Sequence, residues 1–311
     1  MPCPLLARVA LALKLSAPLS CSLALSGALS GALSGCHPER AESIKLMNDG
    51  IKAFRGGNSI SAIRSLELAG DVDPSNDRAF FYQGIILNDL GRDTSNNERF
   101  EAAVKALKRC TEVNAKDPET FYQLGVAQEA LGRLEEAVQA FDQAIALKGG
   151  HGEAALRKGL ALLVRRRFND AQDAFQLAIR VKPQLTEPYQ ALATLYMRFR
   201  QAGPAAQVLK NAIENHPAVY EFKRDLGQVY EGQGQVMSAI PLYEAAHALD
   251  PSESTLLFLL AKAYFKVSDM RSAEVYTRKF LQQGARADKI EILAAKKILL
   301  DISKTKSTGS N

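Results

Sequence analysis

The 311-residue chain has no tryptophan, 7% aromatic residues, four cysteines and four histidines, and each shortage removes a class of function. Cys3 and Cys21 lie in a leader segment described below. That leaves Cys36 and Cys110, too few for a disulfide framework. His37, His151, His216 and His247 are scattered. None pairs with another at metal-ligand spacing, and none stands beside a cysteine or carboxylate cluster. His151 follows Gly149-Gly150 and His216 precedes Pro217, so both read as solvated turn residues. Gly-rich phosphate loops and a Gly-x-Ser-x-Gly elbow are also missing. No catalytic residue, metal site or cofactor is expected, and the chain reads as non-enzymatic. Charge is equally uninformative about nucleic acid. Net charge is +5, and without Arg8 and Lys14, the two bases of the first 35 residues, it falls to +3. That balance gives no basis for nucleic-acid binding.

What is present begins with a leader. Arg8 and Lys14 are followed by an uncharged run, Leu15 to Gly35, of Leu, Ala, Ser and Gly. It ends in three tandem Ala-Leu-Ser-Gly tetrapeptides at 24–27, 28–31 and 32–35. A basic start, an apolar stretch and small residues at its end describe a secretory signal peptide. A retained membrane span is the competing reading, but the serine and glycine content makes the run only mildly hydrophobic. Leu33-Ser34-Gly35-Cys36 resembles the lipobox of bacterial lipoproteins. That resemblance implies diacylation of the Cys36 thiol and cleavage just before it, giving a signal peptide 1–35 and a tether 36–42. It also implies a lipid-anchored envelope protein. With His37 rather than Asp after the cysteine, the outer membrane, facing the periplasm, is favoured. Two or three acyl chains anchor stably, each buried CH₂ contributing about 0.8 kcal/mol.

Beyond residue 42 the sequence repeats. Small residues recur at Gly50, Gly84, Gly125, Gly159, Ala193, Gly227 and Ala261, at intervals of 34 except for one of 41. Alanines follow at Ala62, Ala103, Ala137, Ala171, Ala205, Ala239 and Ala273. A large apolar column runs through Leu66, Leu107, Phe141, Phe175, Leu209 and Tyr243, and prolines close units at Pro74, Pro183, Pro217 and Pro251. This period and these columns resemble the tetratricopeptide repeat. The implied fold is all-α: an α-solenoid of about seven helix-turn-helix units (43–76, 77–117, 118–151, 152–185, 186–219, 220–253, 254–287) and a capping helix 288–304. The tail 305–311 is expected to be disordered, as is the tether.

The physics agrees with the resemblance. Gly57, Gly91, Gly132 and Gly234 fall where a helix C-cap needs a left-handed residue. Small residues let two backbones approach, and the large column fills the space between. One unit cannot bury its apolar face alone, so neighbours must stack. The second unit carries seven extra polar residues, Asp93 to Arg99, expected as a loop or an extra half-turn. Pro204 and Pro241 read as lying near helix starts, and the cap helix should pack through Ile290, Leu293, Ile298 and Leu299.

The resemblance also implies a concave groove lined by the first helices, at the second, fifth, sixth, ninth, twelfth and thirteenth positions of each unit. The first unit would contribute Ile44, Met47, Ile51 and Phe54, and the second Phe81, Tyr82 and Ile85. Tyr122 and Val126 follow from the third, with Leu156, Leu160 and Leu163 from the fourth. Later units supply polar groups: Glu187, Gln190, Thr194, Arg198, Arg224, Asp225, Gln228, Glu231 and Lys262. An apolar concavity suits an amphipathic helix or an extended apolar peptide. The expected partner is therefore a protein or peptide, in the envelope, as for an assembly or pilotin-like lipoprotein. Alternatives are an adaptor for peptidoglycan-processing enzymes and, if the leader is misread, a cytoplasmic co-chaperone.

Overall fold

The computed structural model describes residues 38–283 and 288–308. The leader, Cys36 and the start of the tether lie outside the described residues. Fourteen of the fifteen described helices form seven pairs. They are α1 (Pro38–Arg55) with α2 (Ser59–Val72), α3 (Asp77–Thr94) with α4 (Asn97–Val113), and α5 (Pro118–Ala130) with α6 (Leu134–Lys148). Next come α7 (Gly152–Val164) with α8 (Phe168–Val181), and α9 (Glu187–Arg198) with α10 (Ala202–Asn215). The last pairs are α11 (Tyr220–Gly232) with α12 (Val236–Leu249), and α13 (Ser254–Lys266) with α14 (Met270–Gln283), followed by α15 (Lys289–Thr308). No strand occurs among the described residues. The fold is an all-α solenoid.

Within a pair, the small column on the first helix faces the large column on the second. A methyl group built on Gly125 would lie 2.5 Å from Phe141, one on Gly159 2.5 Å from Phe175, and one on Gly227 2.4 Å from Tyr243. The three rings are fully buried. Gly50 and Gly84 face Leu66 and Leu107 in the same way, a built methyl lying 2.9 and 2.4 Å away. Where the small residue is Ala, at Ala193 and Ala261, the residue in register is Leu209 or Thr277 and not a ring. The columns therefore read as matched holes and knobs that set how closely the two helices lie.

The turns are equally regular. A left-handed residue ends each first helix: Gly57, Ser95, Gly132, Arg166, Arg200, Gly234 and Ser268, with φ between 51° and 81°. The amide after each one closes a Schellman-type bond to the carbonyl five residues back, as from Arg133 to Gln128 at 2.9 Å and from Arg167 to Leu162 at 2.9 Å. Glycine takes this conformation freely, whereas Ser and Arg take it at a cost.

Several expectations are corrected. The insertion makes no loop. It lengthens α3 to 18 and α4 to 17 residues, against 13 and 14 in α7 and α8. Seven residues are close to two turns of 3.6, so the hairpin grows by about a turn on each side and both apolar faces keep phase. Gly91 consequently sits inside α3, buried under Phe100, and the left-handed role passes to Ser95. Residues 38–42 of the expected tether are helical. Pro38 suits a first helical position, Glu39 favours the positive helix end, and Ser43 Oγ donates to the Ala69 carbonyl at 2.6 Å. Pro241 lies in the second turn of α12 rather than at its start. At the other end, α15 runs through residues 305–308 of the expected disordered tail. It docks through Ala295, Ile298 and Ile302 against Leu257, Phe280 and Ala273. Ile290 and Leu293 are 73% and 66% exposed, so they are not on its packing face.

Three substitutions test this account of the packing and the turns. Gly159→Ala should destabilise the chain by about 1–3 kcal/mol through overpacking against Phe175. Gly232→Ala, in the last turn of α11 with open space around it, should stabilise it by about 0.5–1 kcal/mol through helix propensity. Ser268→Gly should add about 0.5–1 kcal/mol by relieving its left-handed backbone. Denaturant melts read all three signs.

Candidate interaction surface

The first helices present one face unit after unit, and its residues differ in how open they are. Met47, Ile51 and Phe54 of α1 are half-buried, as are Tyr82 and Ile85 of α3. Phe81, however, is 4% exposed and Val126 6% exposed. Phe81 packs in the core shared by α2, α3 and α4, edge-on to Tyr82 at 5.5 Å, and Val126 packs with Phe141 and Ala144. Both are core residues, and the expectation that they line an open groove is corrected. The cause is helix phase: positions one residue round from the groove turn inward. Tyr122, Leu156 and Leu163 are half-buried, and Leu160 is exposed.

Several polar groups on the first helices bond across units. Arg157 Nε donates to the Tyr122 hydroxyl at 3.3 Å, and Arg157 Nη1 pairs with Glu129 at 2.7 Å, tying α7 to α5. Asn88 Nδ2 donates to the Gln123 carbonyl at 3.0 Å, tying α3 to α5. Further along, Glu231 is held by Lys262 at 3.1 Å, Lys266 at 2.6 Å and the Tyr243 hydroxyl at 3.0 Å. Burial raises the Glu231 pKa, but the two lysines outweigh it and the carboxyl lies below its ordinary value. Asp225 behaves oppositely. Burial lifts its pKa despite Arg224 at 2.8 Å. Glu187, Gln190, Thr194, Arg198 and Gln228 are exposed. This face is thus apolar with polar edges bonded across units over the first four units, and polar over the last three. Asn88 Oδ1 and Gln128 Oε1 are buried without a partner among the described residues.

A family model described as tetratricopeptide repeat matches residues 88–152, 130–185, 191–254 and 224–278, more than half of the chain. The chain belongs to the tetratricopeptide repeat family. It is similar to the inactive TPR repeat-containing thioredoxin TTL3 of Arabidopsis thaliana, 29% identical over 89 residues, 29% of this chain. The chain spans 13% of the length of that relative. Its fold is similar to the crystal structure of YrrB, a TPR protein with an unusual peptide-binding site (TM-score 0.53, 21% identity, 62% of this chain and 99% of that one). It is also similar to PilW, a widely conserved type IV pilus biogenesis factor (TM-score 0.51, 20% identity, 70% of this chain and 98% of that one). At these identities the structural likeness concerns the fold alone.

No group of His, Cys, Asp and Glu among the described residues is placed to hold a metal ion, and none of these helices is long and apolar enough to cross a membrane. Cys110 is free and buried. Its thiol donates to the Asp77 carbonyl at 3.2 Å, and burial pushes its pKa up to about 11, so it is an inert core group of this repeat chain.

His151 and His216 are not the solvated turn residues expected. His216 is half-buried against Tyr189 and Phe222, its Nε2 2.9 Å from the Pro183 carbonyl. His151 is 4% exposed and stacks on Tyr122 with centroids 4.9 Å apart. Its Nδ1 accepts from the Ala154 amide at 3.3 Å, capping α7, and lies 3.3 Å from Glu153; Nε2 is 3.5 Å from Glu119. The cap needs Nδ1 unprotonated, whereas pairing with Glu153 needs it protonated, so the two roles alternate. Burial pulls the His151 pKa down, but Glu119 and Glu153 outweigh it and the net shift is upward. Glu153 is held well below the ordinary carboxylate range by His151 and Lys182. The only sequence signal was a His one residue before a helix start, where Asn, Asp or Ser is the commoner cap.

A pH dependence follows. A raised histidine pKa contributes stability that is fully present below the ordinary value of about 6.5 and is lost as pH rises through the folded value. The carboxylates act oppositely, their share disappearing only as pH falls through their lowered values. His151→Asn keeps a capping oxygen but cannot titrate. The stability gap between wild type and this variant should be wider at pH 6 than at pH 8.5 in parallel urea melts. An equal gap at both would contradict the assignment.

Proposed function

We propose that the chain is a non-enzymatic scaffold, lipid-anchored through Cys36 in a bacterial envelope, that captures an apolar segment of a partner protein on its first-helix face. The observation that carries this reading is a run of half-exposed apolar side chains over three successive units. It comprises Tyr82, Ile85, Tyr122, Leu156, Leu160 and Leu163. It is bordered by the satisfied Tyr122–Arg157–Glu129 network, which need not be dismantled for a ligand to bind. Met47, Ile51 and Phe54 extend it toward the end that the anchor would hold. An assembly role of the pilotin kind is the finer part of the proposal. It rests on Leu33-Ser34-Gly35-Cys36 and on the fold shared with a pilus biogenesis factor. The outer membrane, facing the periplasm, is the proposed location.

The test has two parts. Leu160→Asp and Tyr82→Asp together should reduce partner recovery in affinity capture from the native membrane by about tenfold or more. Leu147→Asp on the second helix of the third unit should leave recovery unchanged. Undiminished capture by the double variant, folded by circular dichroism, would rule this face out. For the anchor, the native chain should have the mass of an acylated species beginning at Cys36 and sediment with membranes, and Cys36→Ser should abolish both. A full-length, unmodified, soluble chain would remove the envelope assignment and leave a cytoplasmic scaffold.

A further inference from the structure

A second surface lies on the turn edge of the fourth and fifth units; it shares Arg198 with the polar part of the first-helix face but none of the apolar residues on which the groove reading rests. Here Val164 and Phe199 are 71% and 47% exposed. Phe199 meets Phe168 edge-on at 5.0 Å, and Arg198 lies over the Phe168 ring at 5.2 Å. The same two turns carry five arginines: Arg165, Arg166 and Arg167 in the fourth unit, Arg198 and Arg200 in the fifth. Glu135 is shared by Arg165 at 3.3 Å and Arg167 at 3.7 Å, and Asp170 pairs with Arg167 at 2.7 Å. Among the described residues no carboxylate pairs with Arg166, Arg198 or Arg200, so these two turns carry three guanidiniums of unmatched charge, Arg198 lying against the Phe168 ring.

Two of the three stand where the fold would rather have glycine. Arg166 (φ 58°) and Arg200 (φ 57°) occupy the left-handed position that Gly57, Gly132 and Gly234 fill in other units. An Arg there strains the backbone in two consecutive units, with no internal ion pair to offset it. Strain held in adjacent repeats, beside unmatched charge and an exposed ring, points to a use outside the molecule.

We propose that this edge docks an acidic protein segment in which carboxylates flank an apolar side chain. The apolar group would rest on Phe199 and Val164, and the carboxylates would be taken by the forks of Arg166, Arg198 and Arg200. Guanidinium identity favours a polypeptide over a lipid surface. All five bases are Arg and none is Lys, which suits bidentate carboxylate pairing, whereas an anionic bilayer draws Lys and Arg alike. Arg with exposed aromatics is also the composition of interface centres.

The probe is a fluorescein-labelled peptide with a central Phe between pairs of Glu, read by anisotropy on the full chain. Its Gln-for-Glu counterpart is the control. Binding should weaken with salt and be absent for the control. Arg166→Gly with Arg200→Gly should weaken it by about tenfold or more while raising the melting temperature, because glycine relieves both turns. Loss of binding in a more stable protein cannot be misfolding. Leu160→Asp should leave this binding intact, so failure of the groove reading and failure of this one are separable. The proposal is overturned if the peptide does not bind or if the double glycine variant binds it equally. It is also overturned if vesicles of phosphatidylcholine with phosphatidylglycerol, and not the peptide, distinguish wild type from that variant.

Discussion

The close approach of two helices within each unit governs everything else in this chain. Glycine at 125, 159 and 227 leaves a hole about the size of one methyl group, and Phe141, Phe175 and Tyr243 fill it with no room to spare. Leu66 and Leu107 fill the holes at Gly50 and Gly84, and where the hole holds Ala the residue in register is Leu209 or Thr277 and not a ring. The match is made separately in every pair. Side chains one period apart then fall on a common face, and a surface extending over several units arises from a local rule. Stability becomes a sum of such local matches and of the interfaces between neighbours.

This locality explains which features could be read from residues alone. The small and large columns are demanded by packing in every unit, so they repeat, and with them the helix pairs, the turn glycines and the unit boundaries are legible. What failed depended on neighbours or on phase. Phe81 and Val126 occupy groove offsets, yet the phase of their helices turns them into the core. The inserted residues 93–99 are polar turn formers by type, but their number is close to two helical turns, and periodicity outweighs composition. Gly91 kept its place in the count and lost its role as the turn moved to Ser95. His151 was misread because its surroundings, Tyr122 and Glu119 from the preceding unit, are 29 and 32 residues distant in sequence. In α15 the spacing of apolar residues allowed two faces, and contacts with Leu257 and Phe280 chose the one through Ala295.

The candidate surfaces follow from the same division. Positions that hold helices together are narrowly specified, whereas positions facing outward are free to vary at little cost in stability. On the first-helix face that freedom yields an apolar stretch closed at its edges by Arg157, Glu129 and Tyr122, then a polar stretch in which Glu231 is neutralised by two lysines. On the turn edge it yields arginines in a backbone conformation that glycine holds more comfortably. Residues that help neither the hole-and-knob match nor the turn are where a partner's influence would be seen.

The central claim is that binding takes place on the first helices. The most direct measurement is site-specific photocrosslinking in the living cell, with a benzophenone side chain placed in turn at Tyr82, Leu160 and Leu147. The account predicts a discrete adduct of one mass from Tyr82 and Leu160 and none from Leu147, which is exposed on α6, a second helix. An adduct from Leu147 with none from the two first-helix positions would contradict it.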